Sequence, residues 1–105
     1  MMRIMLACAG GMSTSLLVTK MQEEAKKQGI ECKIWAIGES GIENYLGDFD
    51  VLLLGPQIRY KLESVKKILN GKYPVEVIDM RNYGTMNGSA VFTAAVNLYN
   101  EFYQK

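Results

Sequence analysis

The sequence contains no histidine, and this absence removes several kinds of chemistry at once. Without imidazole there is no Ser-His-Asp triad, no Cys-His nucleophile pair and no histidine-ligated zinc site. The two cysteines, Cys8 and Cys32, are too few for a disulfide scaffold or for a metal site built from cysteine alone. We therefore expect no metal and no cofactor, and the low cysteine content favours a reducing compartment, the cytoplasm.

Long apolar stretches and a charge excess of either sign are also missing. No segment approaches the roughly 18 apolar residues of a membrane span, and the apolar run after Arg3 is too short for an exported signal peptide. Twelve Lys and Arg residues against eleven Asp and Glu residues leave a net charge of +1 at pH 7. Because nucleic-acid binding usually requires a larger positive excess, we expect no nucleic-acid partner and no segment inserted in a membrane.

The 105 residues, 49% of them hydrophobic and 22% charged, have the length and composition of one globular domain, residues 1–105. Short apolar and alternating segments predict four strands, over residues 3–8, 30–37, 51–54 and 75–78. Helical spacing of apolar residues predicts helices over residues 14–28, 57–70 and 89–103. Ser40 followed by Glu43 predicts a further short helix with a capping box, ending at Gly47.

The strict alternation of strands and helices predicts an α/β fold, an open four-stranded parallel sheet flanked by helices. In such sheets ligands bind at the carboxyl ends of the strands. The loops that share this edge follow Cys8, Ile37, Leu54 and Ile78. Cys32 begins the second strand whereas Cys8 ends the first, so we expect no disulfide between them. Asp48 and Asp50 precede the third strand and are predicted to be turn residues at the opposite edge.

The segment from Cys8 to Ser15, between the first strand and the first helix, is the most informative of the chain. It contains a thiol, a glycine pair and three hydroxyl side chains. Small residues let successive backbone N–H groups converge on a tetrahedral anion, and the helix N-terminus adds positive potential. A phosphate fits this loop, and the same field favours the thiolate of Cys8, which predicts a nucleophile. In the alternative, purely structural interpretation Cys8 is a small buried core residue.

Tyrosine phosphatases also place a cysteine at the head of a phosphate loop, followed after five residues by arginine and then by serine or threonine. Counted from Cys8, the arginine position is occupied by Thr14, and Ser15 follows. Hydrolysis of a phosphocysteine needs a cation to stabilise the charge on the phosphoryl oxygens. The loop offers only neutral donors, so it is predicted to accept a phosphoryl group and to hold it.

Other residues near the same edge are weaker candidates. Gln57 follows the third strand and either hydrogen-bonds the phosphate or caps a helix, and Met12 serves either docking or core packing. Asp79 is the general acid that a phosphatase would use, but we interpret it as a turn or hydrogen-bonding residue. Arg59 and Lys61 are interpreted as solvated surface charges, with a supporting role in steering the partner as the alternative.

Three segments and a dipeptide carry a resemblance to a known family: CAGGMSTSLL (residues 8–17), LLGPQI (53–58), PVEVID (74–79) and Tyr83-Gly84. They resemble the enzyme IIB component of the lactose/cellobiose (chitobiose) branch of the bacterial sugar phosphotransferase system. The likeness runs over nearly the whole chain. It implies a fold similar to low-molecular-weight tyrosine phosphatase.

The resemblance also implies a reaction and its participants. Cys8 would take a phosphoryl group from a phosphohistidine on enzyme IIA and pass it to a β-linked disaccharide held by the membrane permease, enzyme IIC. The backbone amides expected to bind the phosphoryl group are those of Ala9, Gly10, Gly11, Met12, Ser13, Thr14 and Ser15, and the hydroxyls of the last three would assist. Two alternatives stay open: a phosphatase or arsenate-reductase-like thiol enzyme, and a non-catalytic anion sensor or redox switch built on Cys8.

Overall fold

A four-stranded parallel sheet in the order β2-β1-β3-β4 forms the centre of the protein. The computed structural model describes residues 1–9 and 12–104, and of Met12 and Ser13 only the backbone. The strands are β1 (Met2–Cys8), β2 (Cys32–Gly38), β3 (Val51–Leu54) and β4 (Val75–Val77). The predicted parallel α/β sheet is therefore confirmed, with strand ends that differ from the predicted ones by at most two residues.

Helices connect the strands and cover both faces of the sheet. They are α1 (Met12–Lys27), a first 3₁₀ helix (Glu39–Tyr45), a second 3₁₀ helix (Pro56–Lys61), α2 (Leu62–Leu69), α3 (Met80–Gly84) and α4 (Gly88–Tyr103). No helix among these described segments is long and apolar enough to cross a membrane.

Two local predictions are corrected by the structure, and one short helix is added. The single helix predicted over residues 57–70 is divided into a 3₁₀ helix and α2, because Ile58 has non-helical backbone angles (φ −116°, ψ 24°). The capping box of Ser40 and Glu43 does not form, because the first 3₁₀ helix begins at Glu39, with Gly38 at the cap position. Helix α3 was not predicted, since five residues are too few to show a helical period.

Two hydrophobic clusters lie on opposite faces of the sheet, because successive side chains of a strand point in opposite directions. On one face Ile4 and Leu6 pack with residues of α1 and α4. On the other face Met5 and Ala7 pack with residues of α2 and both 3₁₀ helices. The four residues of β3 are all buried, as a strand covered on both faces requires.

The amino ends of β1 and β3 are joined by an ion pair that the sequence analysis did not predict. Arg3 donates to both carboxylate oxygens of Asp50, with Nη2–Oδ1 and N–Oδ2 distances of 2.8 Å. The hydrogen bond from Arg3 lowers the pKa of Asp50 below its usual value. The hydroxyl of Tyr103 donates to the Asp50 carbonyl at 2.7 Å, and burial raises the pKa of this tyrosine to about 12. Asp50 thus lies at the edge opposite Cys8, as predicted.

The two cysteines lie at opposite ends of the β1–β2 pair. Cys32 is aligned with Met2, whereas Cys8 is aligned with Gly38. Both thiols are free, so the prediction of no disulfide between them is confirmed. Burial raises the pKa of the half-buried Cys32.

Candidate functional site

Cys8 is the last residue of β1 and lies at the carboxyl edge of the sheet, as predicted. Its side chain is buried, with 6% exposure, and its thiol donates to the carbonyl oxygen of Ile37 at an Sγ–O distance of 3.8 Å. The neighbouring strands flank it with glycines: Gly38 is its register partner on β2, and Gly55, after β3, donates its N–H to the carbonyl of Ala7 at 2.8 Å. Glycines therefore lie at the ends of both strands that flank Cys8.

The predicted phosphate loop leads from Cys8 into α1. Ala9 is exposed, while Gly10 and Gly11 lie outside the described residues. Helix α1 begins at Met12, two residues before its predicted start, so the amides of residues 12–15 belong to its first turn. The first four N–H groups of a helix have no partner within the helix, which makes them available to an anion. The anion-binding role of these amides stays a prediction.

Thr14, in the position that tyrosine phosphatases give to arginine, has a partner that the sequence analysis did not identify. Its side chain is only 2% exposed, and its hydroxyl lies 3.0 Å from the hydroxyl of Tyr83 on α3. Tyr83 is also buried and belongs to the hydrophobic cluster beneath α1. The hydroxyl expected to assist at the phosphate is thus already hydrogen-bonded to Tyr83. The only sequence signal for this contact was the presence of Tyr83-Gly84 among the family-like segments.

Because Gly55 has no side chain, it leaves space for the side chains of Cys8 and Gln57. A Cβ atom at this position would lie 3.4 Å from the Cβ of Cys8 and only 2.9 Å from the Oε1 of Gln57. The carboxamide of Gln57 and the side chain of Cys8 thus both adjoin Gly55. The structure brings Gln57 to the predicted edge, and its hydrogen bond to a phosphoryl group stays a prediction.

The remaining candidate residues have structural partners. The Asp79 carboxylate accepts the N–H of Asn82 at 3.0 Å and caps α3, which confirms its interpretation as a hydrogen-bonding residue. Arg59 donates to the carbonyl of Pro56 at 3.0 Å. Lys61 is half-buried and forms an ion pair with Glu39, so the interpretation of Lys61 as a solvated charge was incomplete. The side chain of Met12 lies outside the described part of the structure.

Comparison with known sequences decides the family of the chain. The sequence pattern of the family described as "PTS system, Lactose/Cellobiose specific IIB subunit" matches residues 3–94. The chain belongs to the lactose/cellobiose-specific IIB family. PTS denotes the phosphoenolpyruvate:carbohydrate phosphotransferase system. A IIB component accepts a phosphoryl group from IIA and transfers it to a sugar, so this IIB chain is a phosphotransferase rather than a phosphatase or an arsenate reductase.

Several IIB proteins resemble the chain over nearly its whole length. The galactose-specific EIIB component of Lactococcus lactis subsp. cremoris is 48% identical over 103 aligned residues, covering 92% of this chain and 95% of that protein. The oligo-beta-mannoside-specific EIIB component of Bacillus subtilis is 43% identical over 99 residues, covering 93% of this chain and 96% of that protein.

Solved IIB structures agree with the fold. The solution structure of a cellobiose-specific IIB protein from Borrelia burgdorferi has a TM-score of 0.79 at 40% identity and covers 95% of this chain and 93% of its own. The lactose-specific IIB domain from Streptococcus pneumoniae has a TM-score of 0.84, covering 93% of this chain and 97% of its own. At 16% identity that second likeness concerns the fold alone. The predicted IIB resemblance and its phosphatase-like fold are thus confirmed.

Proposed function

We propose that Cys8 carries the phosphoryl group as a phosphocysteine. The sulfur attacks the phosphorus of a phosphohistidine on IIA, so that an S–P bond forms, the N–P bond breaks, and the thiol proton passes to the imidazole. A sugar hydroxyl then attacks the same phosphorus, an O–P bond forms and the S–P bond breaks, its electron pair returns to sulfur, and the proton of the hydroxyl passes to the sulfur. The histidine that the first step needs is absent from this sequence and is supplied by the partner.

The observation that carries this proposal is the position of Cys8 in a IIB chain. The thiol lies at the carboxyl edge of the sheet, directly before the loop that leads to the first turn of α1. Backbone donors of a helix N-terminus stabilise a phosphoryl dianion, and we assign this role to the amides of residues 9–15. Ser13 and Ser15 are proposed to add hydroxyl donors.

The neutral character of the loop supports storage of the phosphoryl group over its hydrolysis. Thr14 occupies the position of the phosphatase arginine, and on the second 3₁₀ helix Arg59 donates to the carbonyl of Pro56 while Lys61 forms an ion pair with Glu39. Without a cation on the phosphoryl oxygens, attack by water is slow compared with transfer to an aligned partner.

We further propose a β-linked disaccharide as the acceptor, presented in the cytoplasm by the permease IIC. Two names among the relatives support this class, those of the cellobiose- and oligo-beta-mannoside-specific proteins, whereas a third relative is named for the monosaccharide galactose. Residues 1–105 are proposed to act as one IIB domain without a metal or a cofactor.

The experiment is incubation with a phosphorylated IIA protein of the same family, followed by mass spectrometry. The wild-type protein should gain one phosphoryl group, and Cys8→Ser should abolish the stable thiol-linked product. Cys32→Ser is the matched control, because it changes the other free thiol at the opposite end of the strand pair and should leave labelling intact. A thiol-linked phosphate in the Cys8→Ser variant would contradict the proposal.

A further inference from the structure

A cavity of about 380 Å³ lies between the first 3₁₀ helix on one side and the second 3₁₀ helix with α2 on the other. Part of its lining consists of buried apolar side chains, among them Ile42, Ile58 and Val65. Its more exposed lining is polar and includes Glu39, Glu43, Tyr60 and Lys61. The cavity thus combines an apolar interior with a charged and aromatic opening.

The two 3₁₀ helices begin beside Cys8. The first follows directly on Gly38, the register partner of Cys8. The second follows directly on Gly55, whose N–H bonds the carbonyl of the residue before Cys8. Both walls therefore start at the carboxyl edge of the sheet, on the two strands that flank β1. A protein that brings a phosphohistidine to Cys8 must approach this edge.

Glu39 has an oxygen atom that lacks a donor. Its Oε1 accepts from Lys61, whereas its Oε2 is buried and has no hydrogen-bond partner among the described residues. A buried acceptor without a donor costs folding free energy, and such groups in native proteins generally have a ligand, an ion or a water to satisfy them. Glu39 is one of the residues that line the cavity, so a turn of its side chain would bring this oxygen to a donor placed there.

The charges of the cavity favour a cationic donor. Glu39 and Glu43 carry two negative charges against the single positive charge of Lys61, which leaves an excess of one negative charge. Tyr60 is 74% exposed, so its ring offers a face on which a cation is attracted. Lysine and arginine side chains have an aliphatic stem that suits the apolar interior and a charged end that suits this opening.

We propose that this cavity receives a lysine or arginine side chain of the IIA protein while it donates its phosphoryl group to Cys8. The charged end bonds Glu39 Oε2 and is attracted by Glu43 and by the ring of Tyr60. The inference rests on the proposed function, because it deepens the account of how the phosphoryl donor is recognised. It assigns the cavity a role in binding the donor and none in the chemical step.

Substitutions of Glu39 and Lys61 test the inference, because it predicts that they change KM in opposite directions. The rate of phosphoryl transfer from phosphorylated IIA to the protein is measured against IIA concentration, which separates KM from the maximal rate. Glu39→Gln removes a negative charge from the cavity and should raise KM by about tenfold, as expected for the loss of a charged interfacial hydrogen bond. Lys61→Gln removes the competing cation and should lower KM by about threefold.

Two further variants complete the test. Glu43→Gln should raise KM by about threefold, and it keeps the test decisive if Glu39→Gln does not fold, since Glu43 is exposed and no ion pair of it occurs in the described structure. Glu31→Gln is the matched control, because it makes the same change in an exposed residue before β2, at the opposite edge. It should leave KM unchanged. The maximal rate should stay the same in all variants, and the KM effects should shrink as salt is added.

The outcomes separate this inference from the proposed function. If Glu39→Gln and Lys61→Gln change KM in the same direction, the ion pair is merely structural and the inference is wrong. An unchanged KM in Glu39→Gln and Glu43→Gln, with normal wild-type transfer, overturns the inference and leaves the proposed function standing. A change of rate that appears only in transfer from the protein to sugar, measured with membranes that contain IIC, would assign the cavity to the permease. That result would also overturn the inference. Failure of the wild-type protein to accept a phosphoryl group would contradict the proposed function itself.

Discussion

The hydrogen bond between Thr14 and Tyr83 joins the first turn of α1 to α3, and its removal should weaken both the fold and the reaction. The two variants that remove it with little change of shape are Thr14→Val and Tyr83→Phe. Both residues are buried, at 2% and 7% exposure, so water does not readily replace the lost partner. Thr14 is also adjacent to the amides proposed to bind the phosphoryl group, which makes its position relevant to the reaction.

The size of the effect follows from the single bond that the two variants share. A hydrogen bond between neutral groups contributes about 1 kcal/mol net, so its loss should lower the free energy of unfolding of each variant by at least that amount. For a chain of this length the corresponding fall in Tm is about 4–8 °C. The double variant loses the same bond only once. It should therefore be destabilised by less than the sum of the two single variants, with a coupling energy of about 1 kcal/mol.

Urea unfolding followed by the fluorescence of Trp35, the one tryptophan of the sequence, measures these free energies. Tyr99→Phe is the matched control, since it removes a tyrosine hydroxyl from α4 with no hydrogen bond of that hydroxyl in the described structure, and it should have little effect. In the transfer assay Tyr83→Phe should reduce the maximal rate by about tenfold, because the first turn of α1 is held less precisely. Strictly additive single effects, together with an unchanged transfer rate, would refute this reasoning.

Two further predictions concern the framework that holds the site. The Asp50 carboxylate, whose pKa is lowered by Arg3, stabilises the fold above its ordinary pKa near 3.8, and this contribution is lost as the pH falls through its lower native value. Asp50→Asn should therefore lower the free energy of unfolding, measured with urea at pH 7, by about 1–2 kcal/mol. If this difference in free energy from the wild type persisted undiminished well below pH 3.8, the result would be inconsistent with the ion pair. A Cβ at Gly88 would lie 2.5 Å from the backbone carbonyl carbon of Lys20, so Gly88→Ala should lower the free energy of unfolding by about 2 kcal/mol. A Cβ at Gly84 would meet nothing within 4 Å, so Gly84→Ala should be nearly neutral. Equal unfolding midpoints for these two variants would argue against a close contact between α1 and α4.

Much of the fold and the core of the candidate site could be predicted because the relevant signals are local. The apolar run of β3 was predicted with its observed bounds, Val51–Leu54, since a strand buried on both faces has a nearly continuous apolar sequence. The position of Cys8 at the carboxyl edge could be predicted because Cys8 is the last residue of its strand and all strands of a parallel sheet end at the same edge. The neutral residue at position 14 predicted a loop that accepts a phosphoryl group and holds it, whereas the partner that supplies the histidine was implied only by the family resemblance.

What could not be predicted depends on contacts between residues far apart in the chain. Tyr83 and Thr14 are separated by 69 residues, and Asp50 and Arg3 by 47, so no local pattern relates the members of either pair. The cavity between the two 3₁₀ helices likewise exists only because these helices follow β2 and β3, the two strands that flank β1, at the same edge of the sheet. The sequence by itself determined the order of the elements, the thiol and the chemistry of its loop, since these depend on residue type and spacing. Only the tertiary structure decided which hydroxyl Thr14 meets and which oxygen of Glu39 has no donor among the described residues, because packing sets those distances.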